Sequence, residues 1–260
     1  EREEFLTNTF IGDVITYKIS STTPECTEDD PGGTSPQGLV FECKPDRYLQ
    51  AATFKKSTSD INKYFMIVNR RCSPYIDSTT EDKRGGRRNI RVKFDANSTE
   101  FANFNNWKII DIDSNKTVTV FDKRANALLD LGWYNPGQGK LYKVAPVMQE
   151  GGTFVCDEAV STSAFTCNGT VFNNGYDLKI SPNTTITFSN HAGIEMNGGS
   201  FECGEFSTEN NMVTFNGTDS SKGIILSDCS NVGIYKTTIN DLKNDSSETA
   251  ILISNTYDIN

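Results

Sequence analysis

The sequence predicts an all-β chain in which an antiparallel β-sandwich is followed by a stack of repeated strand units. Three observations lead to this fold class. Asn, Thr, Ser and Gly are abundant while Ala and Leu are scarce, which favours strands and turns over helices. Short apolar runs alternate with polar residues from about residue 37 to residue 147. Beyond that point, apolar residues come in short clusters separated by Asn, Gly, Ser and Asp.

The first region contains about seven or eight short runs with turn residues between them, a pattern typical of an antiparallel sandwich or barrel. Its clearest hairpin is "WKIIDIDSNKTVTVF", where Ile110, Ile112, Val118 and Val120 alternate about a polar turn. The same residues superficially resemble a calcium-binding loop, but that loop requires Gly where this sequence has Lys116. We therefore predict a hairpin.

The stretch "APVMQEGGT" marks a boundary, because Pro146, Gly151 and Gly152 interrupt regular structure there. The alternating pattern ends before it and the clustered pattern begins after it. The predicted domains are an N-terminal extension and loop over 1–36, a β-sandwich module over 37–147 and the repeat region over 148–260.

Two matching clusters lie near the C-terminus, "GIILSDCSNVGIYKTTI" from Gly223 and "AILISNTYDIN" from Ala250, 27 residues apart. A repeat of this length indicates stacked units that bury their apolar faces against each other. The clusters resemble the coils of a right-handed parallel β-helix of the pectate-lyase-like superfamily, over about 165–260. The resemblance implies three strands per coil and inward ladders of apolar residues. The residues that we expect to face inward are Ile225, Val232, Ile234 and Ile251 or Leu252.

A second resemblance concerns about 37–147. The runs "YFMIVNRR", "NWKIIDID" and "GQGKLYKVAPV" resemble accessory β-sandwich modules of carbohydrate-active proteins. In the repeat region the pattern stops at Asn260 in the middle of a coil, which would leave an apolar end and an open sheet edge. We therefore expect a truncated β-helix and a chain that continues in a longer polypeptide.

The chain carries 25 Lys plus Arg against 34 Asp plus Glu, a formal charge of −9. An acidic chain is a poor partner for nucleic acid, because binding requires neutralisation of phosphates. No window of 18 apolar residues occurs, so we expect no membrane span. The first residues, "EREEFLTNTF", lack the apolar core of a signal peptide and are interpreted as a processed or excised start.

Seven cysteines raise the question of the redox compartment. Two pairs flank loops that disulfides would constrain, and such bonds are typical of exported proteins. The predicted pairs are Cys26 with Cys43 and Cys156 with Cys167. The alternative for the helical region is that Cys203 and Cys229 are buried thiols in a core.

We predict no catalytic residues, no metal site and no cofactor. His191 is the only histidine and is expected to be an exposed turn residue, which argues against zinc sites and Ser-His-Asp arrangements. The region after residue 147 has no Arg and no Asp-Asp pair of the kind used by β-helix lyases and glycosidases. Its candidate carboxylates, interpreted as solvated turn and edge residues, are Asp177, Glu195, Glu202, Glu205, Asp219, Asp228 and Asp241.

Aromatic side chains offer the only candidate ligand contacts. Trp133 and Tyr134 lie beside an Asn-Pro-Gly turn, and exposed aromatic faces stack on sugar rings. Trp107 precedes an alternating strand and is expected in the core.

The sequence therefore predicts a non-catalytic binding or scaffold region of a secreted or cell-surface protein that associates with a polysaccharide or cell-surface glycan. Two alternatives stay open. One is a fragment of a polysaccharide-degrading glycosidase or lyase whose active site lies outside this chain. The other is a structural subunit of an extracellular assembly. The missing catalytic signature favours the binding or scaffold region and the structural subunit over an intact enzyme.

Overall fold

The computed structural model of the protein describes residues 10–11, 40–44, 49–55, 60–69, 87–94, 98–205, 212–218, 220–242, 250–256 and 259. These residues form two compact units. The first unit contains the described residues of 1–100, with 108–119 and 123–145, and the second contains 101–107, 120–122 and the described residues of 146–260. Two short segments that precede residue 146 in the sequence therefore belong to the second unit.

Up to residue 146 the described residues form strands β1 (Phe10–Ile11), β2 (Val40–Lys44), β3 (Leu49–Lys55), β4 (Lys63–Asn69), β5 (Arg88–Phe94), β6 (Asn106–Asp111), β7 (Lys116–Asp122), β8 (Leu129–Tyr134) and β9 (Gly139–Pro146). One sheet has the order β1-β3-β4-β9-β6-β7 and the other has the order β2-β5-β8. The pairs β1–β3, β3–β4, β4–β9, β2–β5 and β5–β8 are antiparallel, which confirms the prediction of antiparallel sheets. The strands of the predicted hairpin, β6 and β7, are neighbours.

An aromatic core joins these two sheets within the first unit. Phe65 on β4 stacks on Tyr142 of β9 with ring centroids 5.0 Å apart. The same Phe65 meets Phe94 of β5 edge to face at 5.6 Å. All three side chains are buried, and aromatic pairs of this geometry stabilise a core beyond their buried area.

After residue 146 the chain forms helix α1 (Val147–Glu150) and strands β10 (Gly152–Thr153), β11 (Glu158–Val160), β12 (Ala164–Cys167), β13 (Thr170–Phe172), β14 (Leu178–Ile180), β15 (Thr185–Phe188), β16 (Gly193–Asn197), β17 (Ser200–Cys203), β18 (Val213–Asn216), β19 (Gly223–Ser227), β20 (Asn231–Ile234), β21 (Thr237–Asn240) and β22 (Ile251–Ser254). They form three parallel sheets. The first has the order β10-β13-β16-β19-β22, the second β11-β14-β17-β20 and the third β12-β15-β18-β21. Successive strands visit the three sheets in turn, and we call each circuit a coil. This stack of parallel sheets is compatible with a β-helix.

Strand register stacks apolar residues into inward columns. In the first sheet Val171, Ile194 and Ile224 stand above one another and are fully buried. In the second sheet Val232 is buried as predicted, and the half-buried Ile234 stands above the buried Cys203 in an inward column.

The prediction that Ile225 faces inward is wrong. Ile224 and Leu226 fill the inward positions, and strand alternation turns the residue between them to the outer face. The same alternation decides between Ile251 and Leu252. Ile251 pairs with the inward Ile224 and therefore faces inward, whereas Leu252 pairs with the outward Ile225.

The coils differ in length although their register is regular. Gly152, Val171, Ile194, Ile224 and Ile251 occupy equivalent positions, so successive coils advance by 19, 23, 30 and 27 residues. The 27-residue spacing seen in the sequence is therefore the last of these steps. The other steps differ from it because the turns between strands differ in length.

Helix is scarce among the described residues. Besides the four-residue α1, short 3-10 turns occur at Thr99–Phe101 and Lys123–Ala125. Within the described ranges, no helix has the length and apolar character needed to cross a membrane.

The first coil is covered at its end by residues of its own unit. Val147 and Met148 of α1 are fully buried. Phe104, from the segment 101–107, meets Phe165 of β12 edge to face at 5.3 Å. Trp107 is buried, as predicted, and packs edge to face on Phe101 and Phe104. This cover removes the apolar columns from water at the β10 end of the stack.

Candidate functional site

A groove lies on the outer face of the first parallel sheet, within the second unit. Strand register places Thr153, Phe172, Glu195 and Ile225 one above another along it, and Leu252 continues the same line on β22. We call these five residues the outer column. The groove has a volume of about 680 Å³. Since neighbouring strands lie about 4.8 Å apart, the outer column forms an extended strip.

Apolar side chains make up much of the outer column. Phe172 and Leu252 are each 42% exposed. Ile225 is half-buried. Most apolar residues of these strands face the interior, whereas these three face outward along one line. The strip presents an aromatic ring and aliphatic groups to any ligand in the groove.

A tight turn forms one side of the groove, and Asn173 holds it in place. Its side-chain amide donates to the carbonyl oxygens of Tyr176 and Gly198, both at 2.7 Å. Its side-chain oxygen accepts from the amide of Asn197 at 2.8 Å. Asn173 is buried by these contacts, so the residue that the turn presents to solvent is Asn174.

A charge pair lies beside the groove, because Glu195 lines it and Lys222 contacts Glu195. Lys222 Nζ lies 3.4 Å from Glu195 Oε1, and both side chains are about one-third exposed, at 39% and 33%. A partly exposed pair at this distance contributes little to stability. Both charges are therefore available to hydrogen-bond a ligand, and together they leave this part of the groove electrically balanced.

Glu195 is the one carboxylate among the described residues that line the groove. Hydrolysis of a glycosidic bond by the usual mechanism uses two carboxyl groups, one on each side of the bond. The described residues also contain no group of three or more His, Cys, Asp or Glu side chains placed to bind a metal ion. The groove therefore offers stacking, hydrogen bonding and one balanced charge pair.

The two aromatic residues predicted to contact a ligand lie on β8, outside the groove. Trp133 is 39% exposed, and the guanidinium carbon of Arg87 lies 5.3 Å from its ring centroid. Tyr134 is fully buried, and its hydroxyl shares a 2.5 Å hydrogen bond with the hydroxyl of Tyr142. Tyr134 therefore presents no surface to a ligand, whereas ligand contact by Trp133 stays a prediction.

The predicted disulfide between Cys156 and Cys167 is not formed. Both are buried thiols, as are Cys203 and Cys229, for which the buried-thiol alternative is confirmed. Cys167 lies on the inner face of β12, where its thiol donates to the carbonyl of Gly169. Burial raises the pKa of Cys167 to about 12 and that of Cys203 to about 11, so both thiols stay protonated and unreactive at neutral pH.

The other predicted disulfide cannot be placed. Cys43 belongs to β2, but Cys26 lies outside the described residues. The pairing of Cys26 with Cys43 therefore stays a prediction from the sequence.

Glu158 is a buried carboxylate that the sequence interpretation missed. It begins the inward column of Leu178, Phe201 and Val232, where an apolar residue would be expected. The two-residue spacing to buried Val160 is the signal that could have placed it inside.

The Glu158 carboxylate accepts hydrogen bonds from the backbone amides of Asn105 (2.7 Å), Asn106 (2.9 Å) and Ala159 (2.9 Å), and from the Asn106 side-chain amide (3.2 Å). Burial raises its pKa to about 7, although these hydrogen bonds oppose the shift. Glu158 thus fixes the segment 101–107 on the first coil and does not face the groove.

The other carboxylates named from the sequence are exposed or half-buried wherever they are described, and Asp219 lies outside the described residues. His191 is exposed in a turn, as predicted. The structure thus brings only Glu195 into the groove from that set. Phe172, Asn174, Lys222 and Ile225 were missed because their positions depend on register between coils.

No family model, curated protein or solved structure matches the chain. The resemblance to pectate-lyase-like β-helices therefore stays an interpretation of the sequence pattern. The function has to be argued from the geometry of the groove.

Proposed function

We propose that the chain is a non-catalytic binding region of a secreted or cell-surface protein and that its ligand is a polysaccharide or cell-surface glycan. In this proposal a β-sandwich precedes a right-handed parallel β-helix, and the glycan lies along the outer column. The observation that carries the proposal is the line of exposed Phe172, half-buried Ile225 and exposed Leu252 on one sheet face.

The chemistry of the groove suits a sugar chain. Sugar rings have C–H faces that pack on aromatic and aliphatic groups, and hydroxyls that need hydrogen-bond partners. Phe172 and Ile225 supply the first kind of contact. Asn174 and Ser227 beside them, with the Glu195–Lys222 pair, supply donors and acceptors. The extended form of the strip favours a chain of several sugars over a compact molecule.

The single carboxylate in the groove supports binding over hydrolysis. Purified chain incubated with pectins, alginates, glucans and chromogenic esters is expected to show no turnover above buffer, with or without Ca²⁺. Turnover that disappears in the Glu195→Gln variant would contradict the proposal and place the chain among polysaccharide-degrading enzymes.

A glycan array followed by affinity measurement tests the binding site. We expect Phe172→Ala to weaken binding about tenfold, since loss of one aromatic contact removes roughly 1.5 kcal/mol. Trp133→Ala is the matched control, because Trp133 is similarly exposed but lies outside the groove. Loss of binding in Trp133→Ala with normal binding in Phe172→Ala would move the site to the first unit. No binding to any glycan would contradict the proposal.

Export is proposed from the sequence alone. A non-reduced digest of protein from its natural source should contain a peptide in which Cys26 is linked to Cys43. Thiols at both positions would indicate a reducing compartment and contradict export.

A further inference from the structure

The sequence contains four Asn-Gly pairs, all of them after residue 146. They are Asn168-Gly169, Asn174-Gly175, Asn197-Gly198 and Asn216-Gly217. Gly has no side chain to shield its backbone nitrogen, so that nitrogen can approach the side-chain carbonyl of a preceding Asn. The four pairs should deamidate at similar rates in an unfolded chain, whereas the fold places each pair in different surroundings and so changes its rate.

We propose that Asn174 is a site of spontaneous deamidation on the lip of the groove. The Gly175 amide nitrogen loses its proton to solvent and attacks Cγ of Asn174. A carbon–nitrogen bond forms, the side-chain nitrogen leaves as ammonia, and a five-membered succinimide ring results. Water then opens the ring at either carbonyl and gives aspartate or isoaspartate. One water is consumed, one ammonia is released, and nothing is oxidised or reduced.

The surroundings of Asn174 permit this reaction. Asn174 is exposed, lies outside the strands and has a φ of 53°. Among the described residues, no acceptor pairs with the Gly175 amide, and a Cβ built on Gly175 would meet no atom within 4 Å. The turn is closed one residue later, where the amide of Tyr176 donates to the carbonyl of Asn173 at 3.1 Å. The attacking nitrogen is therefore open to solvent.

Two of the other pairs are protected by backbone hydrogen bonds. The amide of Gly198 donates to the carbonyl of Ser227 at 3.0 Å, and that of Gly217 donates to the carbonyl of Asn240 at 2.8 Å. The asparagines before them end β16 and β18, which are paired with strands on both sides. Attack at either site requires a hydrogen bond to open first.

Asn168 is an intermediate case. No acceptor among the described residues pairs with the Gly169 amide. The side-chain oxygen of Asn168, however, accepts from Ser189 Oγ at 2.9 Å, and its backbone amide donates to Gln149 at 2.6 Å. These contacts restrain both the side chain and the backbone of Asn168, so we place its rate between those of Asn174 and the protected pairs.

Deamidation of Asn174 changes the charge of the groove. Glu195 and Lys222 balance each other there, and a carboxylate at position 174 adds one negative charge. Aged protein is therefore expected to bind anionic glycans more weakly than fresh protein. This consequence rests on the proposed function, whereas the modification itself does not.

The test follows all four peptides by mass spectrometry while the full chain ages in mildly alkaline buffer, once folded and once in urea. In the folded chain the Asn174 peptide should convert about tenfold faster than the Asn197 and Asn216 peptides, because opening a backbone hydrogen bond costs about 1.4 kcal/mol. In urea the four rates should converge. Asn174→Gln is the matched variant, since Gln would need a less favourable ring, and it should abolish only that conversion.

Two results would overturn the proposal. One is conversion of Asn197 or Asn216 as fast as that of Asn174 in the folded chain. The other is an advantage of Asn174 that persists in urea, because the fold would then not be its cause. Deamidated protein separated by ion exchange is then compared with fresh protein on the glycan array. Equal binding would refute the charge effect, and absence of binding in both would refute the proposed function while leaving the deamidation site intact.

Discussion

The two units differ in the direction of their paired strands, which is antiparallel in the first unit and parallel in the second. In the first unit β3 and β4 follow one another and pair directly, with Leu49 opposite Asn69. In the second unit Ile194 pairs with Val171 below it and Ile224 above it, so each partner is a full coil away. A hairpin such as β3–β4 takes its register from the connecting segment, whereas a parallel strand takes it from the coil beneath. Local sequence patterns therefore describe a hairpin such as β3–β4 better than they describe the register between coils.

The interiors differ as well. The first unit joins its sheets through the aromatic contacts of Phe65, Phe94 and Tyr142. The second unit repeats the same position in successive coils, so its core consists of columns. A column is destabilised where an inward position carries a charged side chain that has no hydrogen-bond partner. Substitutions at inward and outward positions of one strand therefore give the sharpest experiment.

The largest effect is expected from a pair of neighbouring substitutions on β19. Ile224→Asp buries an unpaired carboxylate in an inward column and should cost more than about 4 kcal/mol, enough to prevent folding of the second unit. Ile225→Asp places the same group on the outer face and should change the free energy of unfolding by about 0.5 kcal/mol. Circular dichroism during urea unfolding measures both. Equal damage by the two substitutions would refute the alternation on which the outer column depends.

The next effect concerns the buried Glu158 at the covered end of the stack. Its pKa in the folded chain, about 7, lies above the ordinary value of 4.5. The folded state therefore binds more protons than the unfolded state between these values, and stability should fall as pH rises through this window. The loss is on the order of 3 kcal/mol by pH 8, measured as a shift of the urea midpoint against pH 5.

Glu158→Gln is the control for this pH dependence. It removes the titrating group, so the difference between pH 5 and pH 8 should shrink. An unchanged pH dependence in the variant would assign the effect to another group.

The smallest effect is expected in the first unit. Tyr134→Phe removes a hydrogen bond and leaves the buried Tyr142 hydroxyl without that partner, which should cost about 1–2 kcal/mol. Replacing both tyrosines by Phe removes both polar groups and should cost less than the single change. Thermal unfolding of the single and double variants measures the difference. A double variant that loses the sum of two single losses would show that the hydroxyls do not act as a pair.

The sequence was sufficient for properties that depend on neighbouring residues. Composition predicted β structure, alternation about a polar turn predicted the β6–β7 hairpin, and the position of Trp107 predicted its burial. The spacing between Gly223 and Ala250 indicated the repeat in which β19 pairs with β22.

Properties set by distant partners were not accessible in this way. Ile225 is the middle one of three consecutive apolar residues. Only its pairing with Glu195, beside the inward Ile194 and Met196, decides that it faces out. Tyr134 and Trp133 are adjacent, and the one that is buried is determined by Tyr142 on another strand. Cys167 was assigned to a disulfide because of the loop it ends, yet its side chain belongs to the interior.

The unequal coils have a consequence for protein engineering. Steps of 19, 23, 30 and 27 residues fit the same columns, so the columns fix where strands lie while the turns are free to vary in length. A peptide grafted into such a turn would leave every inward contact in place, since loop closure becomes only slowly more costly with length. New binding loops could therefore be inserted into the turns of successive coils, where the strand register would hold them at a regular spacing.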